Sequence, residues 1–119
     1  VVSDHRPAIK EDKEREFEDA TFGAPQLQTL FSALNSMKKV KLEQLINILS
    51  DNPRAFIQKP SPTIKIGNDA DLTIFDPTES FSFDSKQRKE HQIYSPFRYE
   101  KLDGKVLGII NNNQLILNQ

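Results

Sequence analysis

The chain has no cysteine and only two histidines, and both shortages narrow its chemistry. Without cysteine there is neither a disulfide framework nor a thiolate metal site. His5 and His91 stand 86 positions apart, and no His-x-His or His-Glu-x-x-His occurs. The chain therefore assembles no metal site of ordinary composition by itself. No stretch approaches the run of about 18 apolar residues that a membrane-spanning helix needs. The first residues lack the basic segment and apolar run of a signal peptide. Sixteen basic and 17 acidic side chains nearly cancel, to a net −1, and they are interleaved, so no basic stripe offers itself to nucleic acid. A Gly-rich phosphate loop and a Ser/His/Asp elbow are both missing. What remains, 36% hydrophobic and 28% charged over 119 residues, is the composition of a soluble, cytoplasmic protein with a thin core, one domain or part of one.

What is present begins at the first residue. Val1 and Val2, β-branched and apolar, run into Ser3-Asp4-His5, which reads as the end of a buried strand delivering an acid and an imidazole to a loop. A strand with nothing before it implies that the chain is the tail of a larger protein. From Lys10 to Asp19 every residue but Phe17 is charged, the pattern of a solvated loop or short exposed helix with Phe17 and Phe22 as anchors. Gly23-Ala24-Pro25 punctuates the chain. Leu27, Leu30, Phe31 and Leu34 then share one helical face, and Asn35-Ser36 end that helix. Leu42, Leu45, Ile46 and Leu49 repeat the spacing, predicting a second helix over 39–50 and a helical hairpin, with one more turn from Pro53 to Phe56. Lys59-Pro60-Ser61-Pro62 reads as a linker. Beyond it the period becomes two. Strands are predicted at Thr63–Ile66, Ala70–Phe75, Lys105–Ile110 and Gln114–Leu117, with a turn at Asn111-Asn112-Asn113. Residues 77–104 read as irregular, with Phe81, Phe83, Tyr94 and Phe97 as spaced anchors.

Two constellations could carry chemistry. Asp4-His5 follows a strand, where (β/α)8 enzymes place catalytic groups, although such a pair is commonly turn chemistry or a cap. Gly67-Asn68-Asp69-Ala70-Asp71-Leu72 holds an Asp-x-Asp pair, but it lacks the further acceptors of a calcium loop and reads as a glycine turn leading into a half-buried strand.

Together and in this order, these segments resemble the C-terminal part of metal-dependent amidohydrolases, and most closely dihydroorotases. Ser3-Asp4-His5-Arg6-Pro7 resembles the segment after the eighth barrel strand, usually Thr-Asp-His-Ala-Pro-His. Phe17-Glu18-Asp19-Ala20-Thr21-Phe22-Gly23 resembles the substrate loop that follows, and Ala24-Pro25-Gln26-Leu27-Gln28-Thr29 the Gly-Leu-Glu-Thr start of the next helix. Gly67 to Leu72 is similar to the Gly-x-x-Ala-Asp-Leu turn of the small β domain; Ser95-Pro96-Phe97 and Gly104-Lys105-Val106 are similar to its later landmarks. The resemblance spans essentially the whole chain. It implies an α+β piece: residues 1–58 as the helical hairpin closing a (β/α)8 barrel, and 59–119 as C-terminal strands of the small β-sandwich domain.

The resemblance also implies an activity, interconversion of N-carbamoyl-L-aspartate and L-dihydroorotate in pyrimidine synthesis, with zinc activating a hydroxide. Asp4 matches the aspartate that relays the proton and neighbours the metal. Phe22 and Gly23 match the loop whose backbone holds the substrate ring. Two departures stand out. Ala8 occupies a position where the family usually has histidine, and Arg6 one where the residue is small; Arg6 could instead clamp a carboxylate. The other metal ligands would lie on earlier strands. The expectations are therefore a small-molecule substrate in the parent, no zinc bound and no hydrolase activity in this chain alone, and self-association through its apolar helix faces. Two other readings compete: a related cyclic amidohydrolase (allantoinase- or dihydropyrimidinase-like, or a pseudoenzyme), and a non-catalytic interaction module.

Overall fold

In the computed structural model, residues 1–83 and 95–118 are described. The charged run forms one short helix, α1 (Lys10–Lys13), inside an exposed loop. After a turn at 27–29 comes α2 (Leu30–Ser36), and then a longer helical segment made of α3 (Leu42–Ile46), a π turn (Asn47–Asp51) and α4 (Asn52–Phe56). Three antiparallel strands follow in the order β1 (Leu72–Ser82), β2 (Lys101–Asn111), β3 (Gln114–Leu117).

The second helix runs past residue 50 because the ladder widens. Pro53 has no N–H, so an α-helix here would leave the Leu49 carbonyl without its donor and crowd it with the ring. The π turn over 47–51 relaxes that conflict, and the chain remains helical through Phe56. At its start, the Gln44 side chain accepts the Lys41 N–H at 3.1 Å, which satisfies one of the free N-terminal donors.

The strand at Thr63–Ile66 is not formed. Ile64 and Ile66 are 86% and 108% exposed, and no ladder partner stands beside them among the described residues. Alternation alone does not make a strand without a neighbour to receive its hydrogen bonds. The segment instead closes a turn in which the Asn68 amide donates to Thr63 Oγ1 at 2.9 Å. Val1 and Val2, read as a strand end, are likewise exposed and unpaired among the described residues.

Two strands are longer than their alternation suggests, and much of the stretch read as irregular is sheet. β1 continues through Pro77, and β2 begins at Lys101. The register skips between Asp76 and Ser80, so Pro77, Thr78 and Glu79 bulge from the ladder. Asp76 builds that bulge: its Oδ1 accepts the Thr78 N–H (2.7 Å), the Thr78 hydroxyl (2.7 Å) and the Glu79 N–H (3.2 Å). Of the aromatic anchors, Phe83 is buried and Phe81 and Phe97 are half-buried, while Tyr94 and His91 lie outside the described residues. The β2–β3 turn is formed as expected, with Asn112 and Asn113 at φ 49° and 60°, the left-handed pair that a two-residue hairpin requires.

Helix and sheet meet through polar side chains. Ser32 donates to the Gly104 carbonyl. The Asn35 amide donates to the carbonyls of Pro77 (2.9 Å) and Asp103 (3.0 Å), and Ser36 Oγ accepts the Asp103 N–H (2.7 Å). Gly104 makes the approach possible. It sits at φ +95°, and a Cβ there would stand 2.8 Å from the Asn35 amide nitrogen and 2.9 Å from the Phe31 ring. Beside this seam Phe31 packs on Phe75 with ring centroids 4.6 Å apart. The apolar core is thin: Leu45, Phe83 and Leu102 are its buried members among the described residues, while Leu27 is 59% exposed and Leu42 and Ile46 are over a third exposed.

The Asp-x-Asp pair serves this architecture. Asp71 accepts from Arg54 at 2.6 Å and from the Asn111 amide at 3.1 Å, tying α4 to the sheet end. These hydrogen bonds, Arg54 first and Asn111 second, hold the Asp71 carboxyl below its ordinary value of 3.8. A lowered folded pKa stabilises the fold above the unfolded value, and that contribution is lost as pH falls through the folded one. Asp71→Asn should therefore flatten the acid limb of a stability-versus-pH curve below about pH 4, while costing less than about 1 kcal/mol at neutral pH, because the pair is partly exposed. Urea unfolding followed between pH 2 and 7 reads both effects; an unchanged acid limb would contradict them.

Candidate functional site

The four residues that the sequence singles out come from two segments, 4–6 and 22–23, and the structure brings those segments together. The Arg6 N–H donates to the Ala24 carbonyl at 3.1 Å, and His5 and Ala24 form an isolated parallel bridge. His5 plays a structural part, because its Nδ1 accepts the N–H groups of Gln26 (3.0 Å) and Leu27 (3.3 Å). That imidazole caps the turn leading into α2 and fixes the direction in which the chain leaves the site. This capping histidine sits beside the candidate acid.

Asp4 takes φ 45°, a left-handed conformation that aspartate tolerates better than most residues. Its carboxylate stays 73% exposed and pairs with Arg6 Nε at 3.3 Å. The Arg6 guanidinium thus engages a carboxylate, that of Asp4, and at 71% exposure it remains open to solvent. An ion pair so exposed contributes little to stability, about 0–1 kcal/mol. Ala8, at the position of the family's usual histidine, is half-buried and offers no polar group.

Gly23 is where the two segments touch. It takes φ +116°, and a Cβ would fall 2.5 Å from Arg6 Cβ and 2.8 Å from the Arg6 carbonyl oxygen. No other residue satisfies both the angle and the space. Phe22, its neighbour, is 84% exposed. The loop between α1 and Gly23 is closed from within by Lys13, whose ammonium donates to the carbonyls of Thr21 (2.7 Å) and Gly23, and by the Thr21 N–H, which donates to the Asp12 carbonyl at 3.0 Å. Lys13 was not legible as a functional residue, because a lysine in a run of charges signals only solvation.

The metal chemistry implied by the resemblance finds no complete ligand set here. Among the described residues no group of three or more His, Cys, Asp or Glu side chains could hold an ion. Asp4 is the ligand that the resemblance names, and the described residues do not make a zinc site by themselves.

Comparison with known proteins gives this geometry its context. No family profile matches the chain. It is 36% identical over 110 residues to the dihydroorotase of Thermoanaerobacter sp., covering 89% of this chain and 25% of that protein. It is 32% identical over 120 residues to the dihydroorotase of Clostridium acetobutylicum, covering 98% and 28%. In fold it is similar to the L-hydantoinase (dihydropyrimidinase) of Arthrobacter aurescens, with a TM-score of 0.70 and 25% identity over 91% of this chain and 26% of that one. The class these relatives define is the cyclic-amide hydrolases of the amidohydrolase superfamily. Within that class, the chain is a sequence relative of the dihydroorotases, and it spans about a quarter of the length of the curated relatives it matches.

The contact at Gly23 generates a prediction. Gly23→Ala should force the 21–24 segment off Arg6 and destabilise the chain by about 1–3 kcal/mol, with the loss concentrated in residues 4–27. Amide exchange resolved along the chain checks it; unchanged protection at Arg6 would refute the close approach.

Proposed function

We propose that this chain supplies the C-terminal quarter of a dihydroorotase, with residues 1–58 completing the barrel and 59–119 contributing strands to the small β-sandwich domain. The observation that carries the proposal is the approach of the segment holding Asp4 and Arg6 to the segment holding Phe22 and Gly23, through the Gly23–Arg6 contact and the Arg6–Ala24 hydrogen bond, in a chain related to dihydroorotases over nearly its whole length. In this reading Asp4 is the proton relay: an exposed carboxylate on a strained backbone takes a proton from the attacking water and returns it to the leaving ring nitrogen. Phe22 and Gly23 hold the substrate ring through their backbone, and Arg6 receives the substrate carboxylate. Zinc, in the assembled enzyme, supplies activation of water near neutral pH. Its further ligands come from outside these 119 residues, with Asp4 as this chain's contribution. The enzyme is cytoplasmic and its partner is a small molecule.

A chimera tests this reading. The Thermoanaerobacter sp. dihydroorotase, with its matched stretch replaced by this chain, should cyclise carbamoyl-aspartate. Asp4→Asn in it should lower kcat by about a thousandfold, within the range of general acid–base catalysis. Arg6→Ala should raise KM for dihydroorotate by about tenfold, the scale of one lost charged hydrogen bond. A folded chimera active on hydantoin or dihydrouracil but not dihydroorotate would move the assignment to the dihydropyrimidinase-like alternative, with which the Arthrobacter fold similarity is compatible. A folded chimera inactive on all of them would leave the pseudoenzyme.

Alone, the chain should self-associate. Leu27, Leu42, Ile46, Leu115 and Leu117 are exposed apolar side chains on helices, turn and edge strand, and such surface seeks cover. Sedimentation at about tens of micromolar, the regime where such species associate, should show more than monomer. A lone monomer would contradict this.

A further inference from the structure

We propose that Lys13 is a positioning residue for the loop that carries Phe22 and Gly23, holding that loop's backbone ready for a ligand. This inference rests on the assignment of Phe22 and Gly23 to substrate binding. Its first argument is the choice of partner. In the same charged run Lys10 pairs with Glu14 at 3.6 Å and Arg15 pairs with Asp12 at 3.0 Å. Lys13 has carboxylates on both sides in sequence, yet its ammonium goes to two neutral carbonyls eight and ten positions further on. A cation that crosses a loop to reach carbonyls acts as a clip on the backbone.

The second argument is what the clip leaves over. Lys13 takes the carbonyls of Thr21 and Gly23, and Asp12 takes the Thr21 N–H. Gly23 is wedged against Arg6 on its other side. Between these pinned neighbours, the Phe22 backbone makes no hydrogen bond among the described residues, and its ring stands 84% exposed. The loop thus pins both sides of one residue whose N–H and C=O, in adjacent peptide units, take no protein partner among the described residues. An N–H and a C=O fixed in place match the paired donor and acceptor of a cyclic amide, and a ligand binding there loses little to ordering the loop. Without Lys13, the same peptide groups would be presented by a loop that must be ordered on each binding event.

The test has two arms that fail independently of each other. In the 119-residue chain, Lys13→Met, which keeps the length of the side chain and removes its donors, should speed amide exchange at Thr21 and chymotryptic cleavage at Phe22 by about tenfold. Exchange at Thr73 in β1 should stay within about twofold, since global stability is untouched. Lys13→Arg, which keeps the cation and donors, should restore most of the protection. Unchanged exchange at Thr21 would overturn the proposal. So would equal acceleration at Thr21 and Thr73, because Lys13 would then act on the stability of the whole fold. In the active chimera, Lys13→Met should raise KM for dihydroorotate by about tenfold with kcat nearly unchanged. A loss confined to kcat would overturn the positioning role even if the exchange arm succeeds. The exchange arm needs no catalysis, so an inactive chimera would bear on the enzyme assignment and leave the Lys13 clip to be decided by exchange.

Discussion

The fold depends on one polar seam, the docking of α2 onto β2. Ser32, Asn35 and Ser36 lie on a single helical face and engage backbone groups at Pro77, Asp103 and Gly104. Those groups are available because the ladder has already failed there: the bulge at Pro77–Glu79 removes the neighbour that β2 would otherwise bond. Buried backbone groups must find partners, and the helix supplies them. Gly104 lets the helix close to that range, since any side chain would strike Asn35 and Phe31. The seam sets where α2 starts. That in turn sets the turn at 26–29, which His5 caps, and through His5 it reaches the candidate site.

Much of this was legible in the sequence, and the misses share a cause. The helices announce themselves by the spacing of Leu30, Phe31 and Leu34 and of Leu42, Leu45 and Ile46, because one helix holds its own hydrogen bonds and needs a neighbour only to cover its apolar face. The Asn112-Asn113 turn is equally local. Strands are not local. Thr63–Ile66 alternates as a strand should and finds no partner, while Asp76–Ser82 holds a proline and still pairs through its bulge with Lys101–Lys105. Polar docking was hidden for a related reason. Ser32, Asn35 and Ser36 look like helix-ending residues, and their role follows only from the carbonyls opposite them. Asp71 looked like part of an acidic pair and is a tie to Arg54.

At the candidate site, chemistry was more legible than mechanics. Asp4 and Gly23 drew notice through residue type and order, and the structure puts Gly23 where only glycine fits. The means of holding them, the His5 cap and the Lys13 clip, are contacts 21 and 10 positions apart that leave no periodic trace. Both use residue types common on any protein surface.

The candidate site divides into held backbone and open side chains. Asp4, Arg6 and Phe22 keep their functional groups in solvent, while the backbone at 4–6 and 21–24 is pinned by a bridge, a cap, a clip and a glycine contact. Pinned backbone preserves the relative placement of the three residues within this chain. Open side chains leave them ready to be completed by groups from elsewhere. The thin core goes with exposed apolar side chains on α3 and β3, surface that remains open to a partner. The local frame thus rests on hydrogen bonds of its own and does not depend on burying these side chains.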